Sequence, residues 1–225
     1  MITYSIKDFF SAKFEKESTA LLLESPSFFS EETMVDYVSQ LMKYSLQEYL
    51  DYLELNPILT DITTRDITQL SSIKDCTTKM CDIMIAKGNR GLSFKEIALL
   101  LHADNSYKDN IVALTKYGEN QVKTAEQLGL AFYKDELWYL SSIGFIFPTL
   151  SEKQQKKFLA INLLRDPFYS RVILSLRRKD TCLKDFMGIL SESTQKRRSS
   201  SCSKVLSFFF DLCEEEKVGI HKLTN

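Results

Sequence analysis

The sequence has few of the residues that interrupt helices, with seven glycines and four prolines in 225 residues. Together with the helical periodicities described below, this scarcity favours a mostly helical protein over a sandwich or a barrel. No run of eighteen apolar residues occurs, so we expect no segment that spans a membrane. The opening residues, MITYSIKDFF, lack the basic-then-apolar order of a signal peptide, which predicts a cytoplasmic protein.

Motifs of common enzyme classes are also missing. The sequence contains no GxxxxGK[ST], GxGxxG, HExxH or GxSxG, and two histidines leave little for general-base catalysis. A metal-dependent nuclease is one alternative, with Asp211 and the pair Glu215 and Lys217 as its acidic residue and E-x-K motif. These residues fit badly, because they lie at a predicted helix end rather than on adjacent strands. We therefore expect no catalytic residue and no cofactor.

The five cysteines form no CxxC pair, and only two histidines could join them as ligands. Zinc requires clustered ligands at short spacings, so the sequence predicts no metal site. Cys76, Cys202 and Cys213 lie on or beside apolar stripes, where a thiol behaves as a small hydrophobic group. We expect them to be reduced packing residues.

A net charge of −1 hides an uneven distribution of charge along the chain. Residues 1–66 hold five Lys/Arg and twelve Asp/Glu, whereas residues 67–210 hold twenty-two Lys/Arg and fourteen Asp/Glu. The near-neutral total argues against a nucleic-acid partner, but the distribution describes an acidic head and a basic body. A basic body is compatible with nucleic-acid binding.

The clearest local pattern runs from Leu92 to Gly144. Ser93 and Glu96 have the spacing of a capping box at the start of an amphipathic helix. A second apolar stripe ends at Gly129, a residue type that closes helices in the left-handed conformation. Two alternating segments around Asp135-Glu136 then predict a small hairpin. The order is helix, helix, hairpin.

This stretch resembles the winged helix-turn-helix family, most of all in AEQLGLA followed by WYLSSIG, where the family typically has LGL, a strand, and YxLTxxG. The second helix of such a motif presents residues to base edges in the major groove. The resemblance therefore implies DNA-contacting residues on the corresponding helix, where Asn and Gln can pair with adenine and Lys can reach guanine or phosphate. These candidates are Lys116, Asn120, Gln121, Lys123 and Thr124. We expect little from the wing, because Asp135 and Glu136 would repel phosphate.

The segments before this module predict two long helices and a connector. One helix runs from a cap at Ser30 to about Glu54, a Thr- and Asp-rich connector follows, and a second helix runs from about Leu70 to Lys87. Tyr37, Tyr44 and Tyr52 add more aromatic area to the head than a short domain covers easily. The head is either a dimerisation element or a segment packed on the first module. Near Gly118, either one helix bends or two helices meet.

After residue 148 a second module follows a similar order. Ser151 caps a helix that must stop before Pro167, and a long helix then starts at Ser193 or Thr194 and is closed by Gly219. We predict a mainly α fold with small β wings, built from tandem winged-helix-like modules and an N-terminal helical segment. The divisions are 1–66, the acidic helical head; 67–147, a winged-helix module; and 148–225, a second winged-helix-like module.

The long helix of the second module begins with the densest group of cations in the sequence. Three cations near a helix N-terminus oppose the macrodipole, an arrangement that is easier to understand if phosphate binds there. The alternative is a solvated basic turn. The candidate DNA-binding residues of this module are Gln195, Lys196, Arg197, Arg198, Ser200 and Lys204.

From these patterns we predict a non-catalytic, sequence-specific double-stranded DNA-binding protein, with a homodimer as the default because such proteins often match palindromic sites. Tandem winged helices resemble transcriptional regulators, plasmid replication initiators and recognition parts of restriction systems. The segment KYGENQVKTAEQLGL is similar to winged-helix segments of restriction-associated proteins. The competing hypothesis is a protein-interaction adaptor built on winged helices, which the near-neutral charge and the tyrosine-rich head favour.

Overall fold

The computed structural model describes residues 3–11, 31–70, 72–101 and 110–224, so the predicted cap Ser30 lies outside the described residues. The fold is mainly helical with two small sheets, as expected. The helices are α1 (Ile6–Ser11), α2 (Glu31–Leu41), α3 (Leu46–Leu55), α4 (Ile73–Cys76), α5 (Thr78–Ala86), α6 (Phe94–Leu101), α7 (Ile111–Gln127), α8 (Ser142–Ile146), α9 (Glu152–Arg165), α10 (Pro167–Leu176) and α11 (Glu192–Glu216). The strands are β1 (Ala131–Lys134), β2 (Leu137–Leu140), β3 (Thr181–Cys182) and β4 (Leu223–Thr224), and short 3₁₀ turns cover Phe147–Thr149 and Leu183–Phe186.

The chain divides into two compact units. Among the described residues, 3–11, 37–69 and 151–224 form what we call the terminal unit, and 31–36, 70, 72–101 and 110–150 form the central unit. This division differs from the three predicted segments, because residues 37–66 of the predicted head are grouped with the C-terminal third of the chain.

The central unit contains the helix, helix, hairpin order predicted for residues 92–144. The Ser93 and Glu96 capping box forms at the start of α6, with the Ser93 N–H donating to the Glu96 carboxylate over 2.9 Å. Strands β1 and β2 pair antiparallel, and both residues of the turn between them, Asp135 and Glu136, have positive φ as a type I′ turn requires. Leu92 adds a single bridge to Trp138 on β2, with both backbone hydrogen bonds at 2.9 Å. The topology is therefore helix, bridge strand, two helices, and a hairpin.

Gly118, predicted either as a bend in one helix or as the meeting point of two, has a packing role in the central unit. It lies inside the continuous helix α7, and a Cβ atom there would sit 2.0 Å from the backbone oxygen of Phe94 at the start of α6. Two helices do not meet at this residue. Because glycine has no side chain, it allows the backbones of α6 and α7 to approach closely.

The two long helices predicted before residue 90 are both interrupted. Residues 31–55 form α2 and α3, and the break is at Ser45, whose hydroxyl accepts the Glu48 N–H in a capping box. Residues 73–86 likewise form α4 and α5, separated at Thr77. The predicted stop after the second helix is confirmed, since Gly88 and Asn89 both have positive φ.

The tyrosines of the predicted head are packed inside the terminal unit. The rings of Tyr37 and Tyr49 lie 5.0 Å and 5.9 Å from that of Phe9, and Tyr44 lies 5.9 Å from Tyr49. Tyr52 stacks on Phe10 at 5.0 Å. The aromatic area that suggested a dimerisation element is thus covered largely by residues of the same unit.

The C-terminal third departs from a winged-helix order. Strand β4 pairs parallel with β3 over two residues, and among residues 151–224 the structure contains no antiparallel hairpin that could form a wing. The helix α11 lies between the two strands in sequence, and such a crossover connection joins parallel strands. The helix ends at Glu216 with Lys217 in the left-handed conformation (φ 56°), so Gly219 was the wrong prediction for its cap.

Candidate nucleic-acid interface

Helix α11 carries its charges in the order that its own dipole disfavours. The N-terminal half contains the predicted cations Lys196, Arg197 and Lys204, and the last turns contain Asp211 and residues 214–216, which are three glutamates. Cations are favourable near a helix C-terminus and anions near an N-terminus. Each end therefore requires compensation from outside the helix or from a ligand.

The acidic end is compensated within the terminal unit. Glu215 pairs with Lys156 at 2.8 Å, and hydrogen bonds to glutamates raise the pKa of Lys156. Glu216 pairs with Lys157 at 2.5 Å and also accepts the backbone N–H of Leu46, at the start of α3. Lys157 is 1% exposed, and its ammonium lies 5.5 Å from the ring centre of Tyr49. Burial lowers the pKa of Lys157, and the hydrogen bond that Lys157 donates to the Glu216 carboxylate opposes this effect.

The basic end has no such compensation for two of its cations. Lys196 and Arg197 are exposed, and neither side chain forms a hydrogen bond or ion pair within the described part of the chain. Glu192 precedes Lys196 by four residues on the same helix, yet the two are not paired. These side chains are thus available to an external anion.

Arg198 is oriented without being neutralised. Its Nη1 donates to two backbone oxygens, that of Thr64 at 2.5 Å and that of Ile67 at 2.6 Å. Partial burial, together with the neighbouring charge of Arg197, lowers the pKa of Arg198, but a guanidinium stays protonated in proteins. Backbone carbonyls are neutral acceptors, so the positive charge of Arg198 still contributes to this surface.

The other predicted residues of α11 fall into two groups. Ser200 and Lys204 are exposed, and with Lys196 they occupy positions i, i+4 and i+8 on one face, which spans about 12 Å along the helix. Gln195 is half-buried and donates its amide to the backbone oxygen of Leu190 over 2.8 Å. We call Lys196, Arg197, Ser200 and Lys204 the cationic stripe.

The position of the stripe relative to the helix start corrects one part of the prediction. The helix begins at Glu192, not at Ser193 or Thr194, and the N–H of Gln195 already donates to the Ser191 oxygen over 2.8 Å. The cations therefore lie in the second turn and beyond. The unpaired N–H groups of the first turn do not coincide with them.

On α7 of the central unit, one carboxylate forms ion pairs with both predicted lysines. Glu119 pairs with Lys116 at 2.8 Å and with Lys123 at 2.6 Å. Burial would raise the pKa of Glu119, but the hydrogen bonds from the two lysines outweigh it and the pKa is lowered. Lys123 also lies 5.8 Å from the ring centre of Phe94. The exposed cations of this helix are thus locally neutralised.

Two predicted base-contacting residues of α7 are not on the surface. Gln121 is 0% exposed and Thr124 is 3% exposed, with the Thr124 hydroxyl donating to the backbone oxygen of Asn120 over 2.9 Å. The expectation that both residues lie on an exposed helix face is wrong, because their side chains are buried in the central unit. Asn120 is half-buried. At the wing, Asp135 and Glu136 are exposed, and Lys134 is half-buried.

The residues of the nuclease alternative do not assemble into a site. Asp211 and Glu215 lie on α11, Lys217 caps that helix, and Glu215 is paired with Lys156. Within residues 3–11, 31–70, 72–101 and 110–224, no group of three or more His, Cys, Asp and Glu is arranged to hold a metal.

The cysteines of the apolar stripes are buried free thiols, as predicted. Burial raises the pKa of Cys202 and of Cys213 to about 12 and also raises that of Cys76. A thiol with a raised pKa is seldom a thiolate at neutral pH and is therefore a poor nucleophile.

Sequence reasoning missed the role of the connector, residues 58–69. It supplies both oxygens that hold Arg198, from positions more than 130 residues away in the chain. No local pattern signals such a contact, although the many Thr and Asp residues did indicate an irregular segment.

Comparison with known proteins adds no assignment: no family model, curated protein or solved structure matches this chain. Of the helices in the described residues, none has the length and apolar character needed to cross a membrane.

Proposed function

We propose that this protein binds double-stranded DNA without catalysing a reaction, and that the cationic stripe of α11 contacts phosphates. The observation that carries the proposal is the pair Lys196 and Arg197, two exposed cations in the second turn of α11 that form no hydrogen bond or ion pair within the described part of the chain. The opposite end of the same helix shows that this unit does pair its charges elsewhere. Phosphate oxygens are suitable partners for such side chains.

The central unit supports a role in base recognition. Its order of helix, bridge strand, two helices and hairpin matches the order expected for a winged helix, and in this proposal α7 is the recognition helix. Three predicted contacts on this helix stay at least partly exposed: Lys116 and Lys123 are exposed, and Asn120 is half-buried. A regulator, a replication initiator and a recognition component of a restriction system would each use such an arrangement.

Binding to a fluorescent DNA duplex across a range of salt concentrations tests this proposal. Each phosphate contact steepens the slope of log K against log salt by about 0.9, so several contacts give a steep negative slope. Absence of binding at low salt would exclude DNA as the partner. Comparison of unrelated duplex sequences then measures how much of the affinity depends on base contacts.

A protein-interaction adaptor is the second candidate, and α7 provides a specific observation for it. Val112 and Ile111, at the start of this helix, are 75% and 48% exposed. Because Glu119 forms ion pairs with both lysines of α7, the exposed surface of this helix presents apolar groups and little unpaired charge. An adaptor would show no salt-dependent retention on DNA.

We further propose a homodimer, because helix-turn-helix proteins often match two-fold symmetric sites. Light scattering on the 26.0 kDa chain, at concentrations that bind DNA, distinguishes a dimer from a monomer. A monomer with full affinity would contradict this part of the proposal.

A further inference from the structure

The connector, residues 58–69, is fixed to the same unit as the cationic stripe. Arg171 on α10 donates to the Thr60 oxygen over 2.6 Å, and the Tyr169 hydroxyl donates to that of Thr68 over 2.6 Å. Arg198, adjacent to Arg197 of the stripe, holds the oxygens of Thr64 and Ile67. Three side chains from α10 and α11 thus determine the path of the connector.

The tip of the connector is a compact turn that presents Arg65. The Asp66 N–H donates to the Thr63 oxygen over 3.2 Å, and the Asp66 carboxylate accepts the Thr63 N–H and hydroxyl over 2.6 Å and 2.9 Å. Arg65 lies between them and is exposed, and its guanidinium has no hydrogen bond or ion pair among the described residues. The turn therefore fixes the backbone of a third unpaired cation.

The backbone of Arg65 lies beside the second turn of α11. The oxygen of Thr64, which belongs to the peptide bond leading into Arg65, is 2.5 Å from the Arg198 guanidinium. This contact brings Arg65 next to a helix turn that is more than 130 positions away in sequence. Sequence reasoning placed Arg65 in an acidic head, whereas the structure places it at a cationic surface.

We propose that Arg65 and the cationic stripe contact one extended phosphodiester backbone, independently of base sequence. This inference rests on the proposed function. The stripe alone spans about 12 Å, whereas successive phosphates of one strand are about 3.4 Å apart along the duplex axis, so the surface fits a polymer rather than one phosphate group. Three carboxylates, Asp61, Asp66 and Glu192, lie on the connector and on residues 192–204 of α11. The five cations Arg65, Lys196, Arg197, Arg198 and Lys204 outnumber them.

The test compares Arg65→Ala with Lys153→Ala in the full chain. Lys153 is an exposed cation of the same unit, and its charge lowers the pKa of Lys157, which pairs with Glu216 at the far end of α11. That end is about 30 Å from Lys196 along the helix. The control therefore removes one charge from the same unit without touching the proposed surface.

Arg65→Ala should reduce the salt slope for a duplex of about two helical turns by about 0.9 and lower the affinity several-fold, equally for unrelated sequences. Arg65→Glu should lower it further, and Lys153→Ala should leave both values near wild type. Inorganic phosphate should compete only at high concentration. If the wild type binds and Arg65→Ala matches Lys153→Ala, the role of Arg65 is refuted while DNA binding stands. If the wild type binds no duplex, the proposed function itself fails.

Discussion

Helices α7 and α11 both carry cations that sequence patterns assign to DNA contact, but only on α11 do two of them, Lys196 and Arg197, lack an ion pair among the described residues. On α7, Lys116 and Lys123 share the carboxylate of Glu119. On α11, Lys196 and Arg197 have exposed side chains without an ion pair in the described chain. Spacing of acidic residues alone does not explain the difference. Glu192 precedes Lys196 by four residues, just as Glu119 precedes Lys123, yet only the second of these pairs forms.

The comparison shows that the charge of a segment and the availability of that charge are separate properties. Residues 70–150 hold nine Lys/Arg and nine Asp/Glu, and residues 151–225 hold fifteen and nine. Several arginines of the second segment nevertheless form ion pairs or hydrogen bonds within the protein. Arg177, for example, pairs with Asp51 at 2.9 Å. A functional cation is therefore better identified by its lack of a partner than by the net charge around it.

The largest expected effect is a loss of stability, caused by breaking the ion pair between Glu216 and Lys157 at the C-terminal end of α11. Glu216→Gln leaves the buried ammonium of Lys157 without its carboxylate, and breaking a buried pair in this way costs about 3 kcal/mol of unfolding free energy. Chemical denaturation monitored by circular dichroism measures the loss.

Glu215→Gln is a closely matched control for that experiment. The adjacent pair, Glu215 and Lys156, is more exposed and should contribute less than about 1 kcal/mol. Equal losses for the two variants would show that burial of Lys157 does not determine the stability of this end.

The next largest effect is a loss of DNA affinity when the unpaired cations Lys196 and Arg197 are removed. The double variant Lys196→Ala and Arg197→Ala should reduce the salt slope by about 1.8 and the affinity roughly 10- to 30-fold near physiological salt. Its stability should be unchanged or slightly higher, because cations that oppose the macrodipole are gone. Fluorescence anisotropy and denaturation measure the two quantities.

The corresponding double variant on α7, Lys116→Ala and Lys123→Ala, removes the same number of charges. We expect a smaller change in salt slope, since Glu119 already neutralises much of that charge. A larger effect on α7 than on α11 would reverse the assignment of phosphate contacts to the two helices.

The smallest expected effect is a gain in DNA affinity when the lysines of α7 lose their ion pairs with Glu119. Glu119→Gln removes the shared carboxylate, so Lys116 and Lys123 become available to phosphate and affinity should rise a few-fold, with a salt slope steeper by up to about 1.8. Glu126→Gln removes a charge from the same helix without opening these two ion pairs, and serves as the control. An unchanged slope for Glu119→Gln would indicate that α7 does not face the DNA.

Features that depend on residues three or four apart were predictable. The capping boxes at Ser93 and Ser151, the left-handed Gly129 and the Asp135-Glu136 turn all agree with the sequence patterns. The capping box at Ser45 has the same signature, S-x-x-E, and was missed because a longer apolar stripe runs through it. Such signals are local, so the neighbouring residues determine them almost alone.

The helical class, several helix starts, the hairpin of the central unit and the positions of the cationic clusters follow from sequence patterns. Which cations have a partner depends on the tertiary structure, since Arg198 donates to a backbone oxygen of the connector and Lys157 pairs with Glu216 on another helix. Burial of Gln121 and Thr124 was decided in the same way, by packing of α7. The physical reason is that pairing and burial depend on which distant segments meet, whereas caps and turns depend on a few consecutive residues.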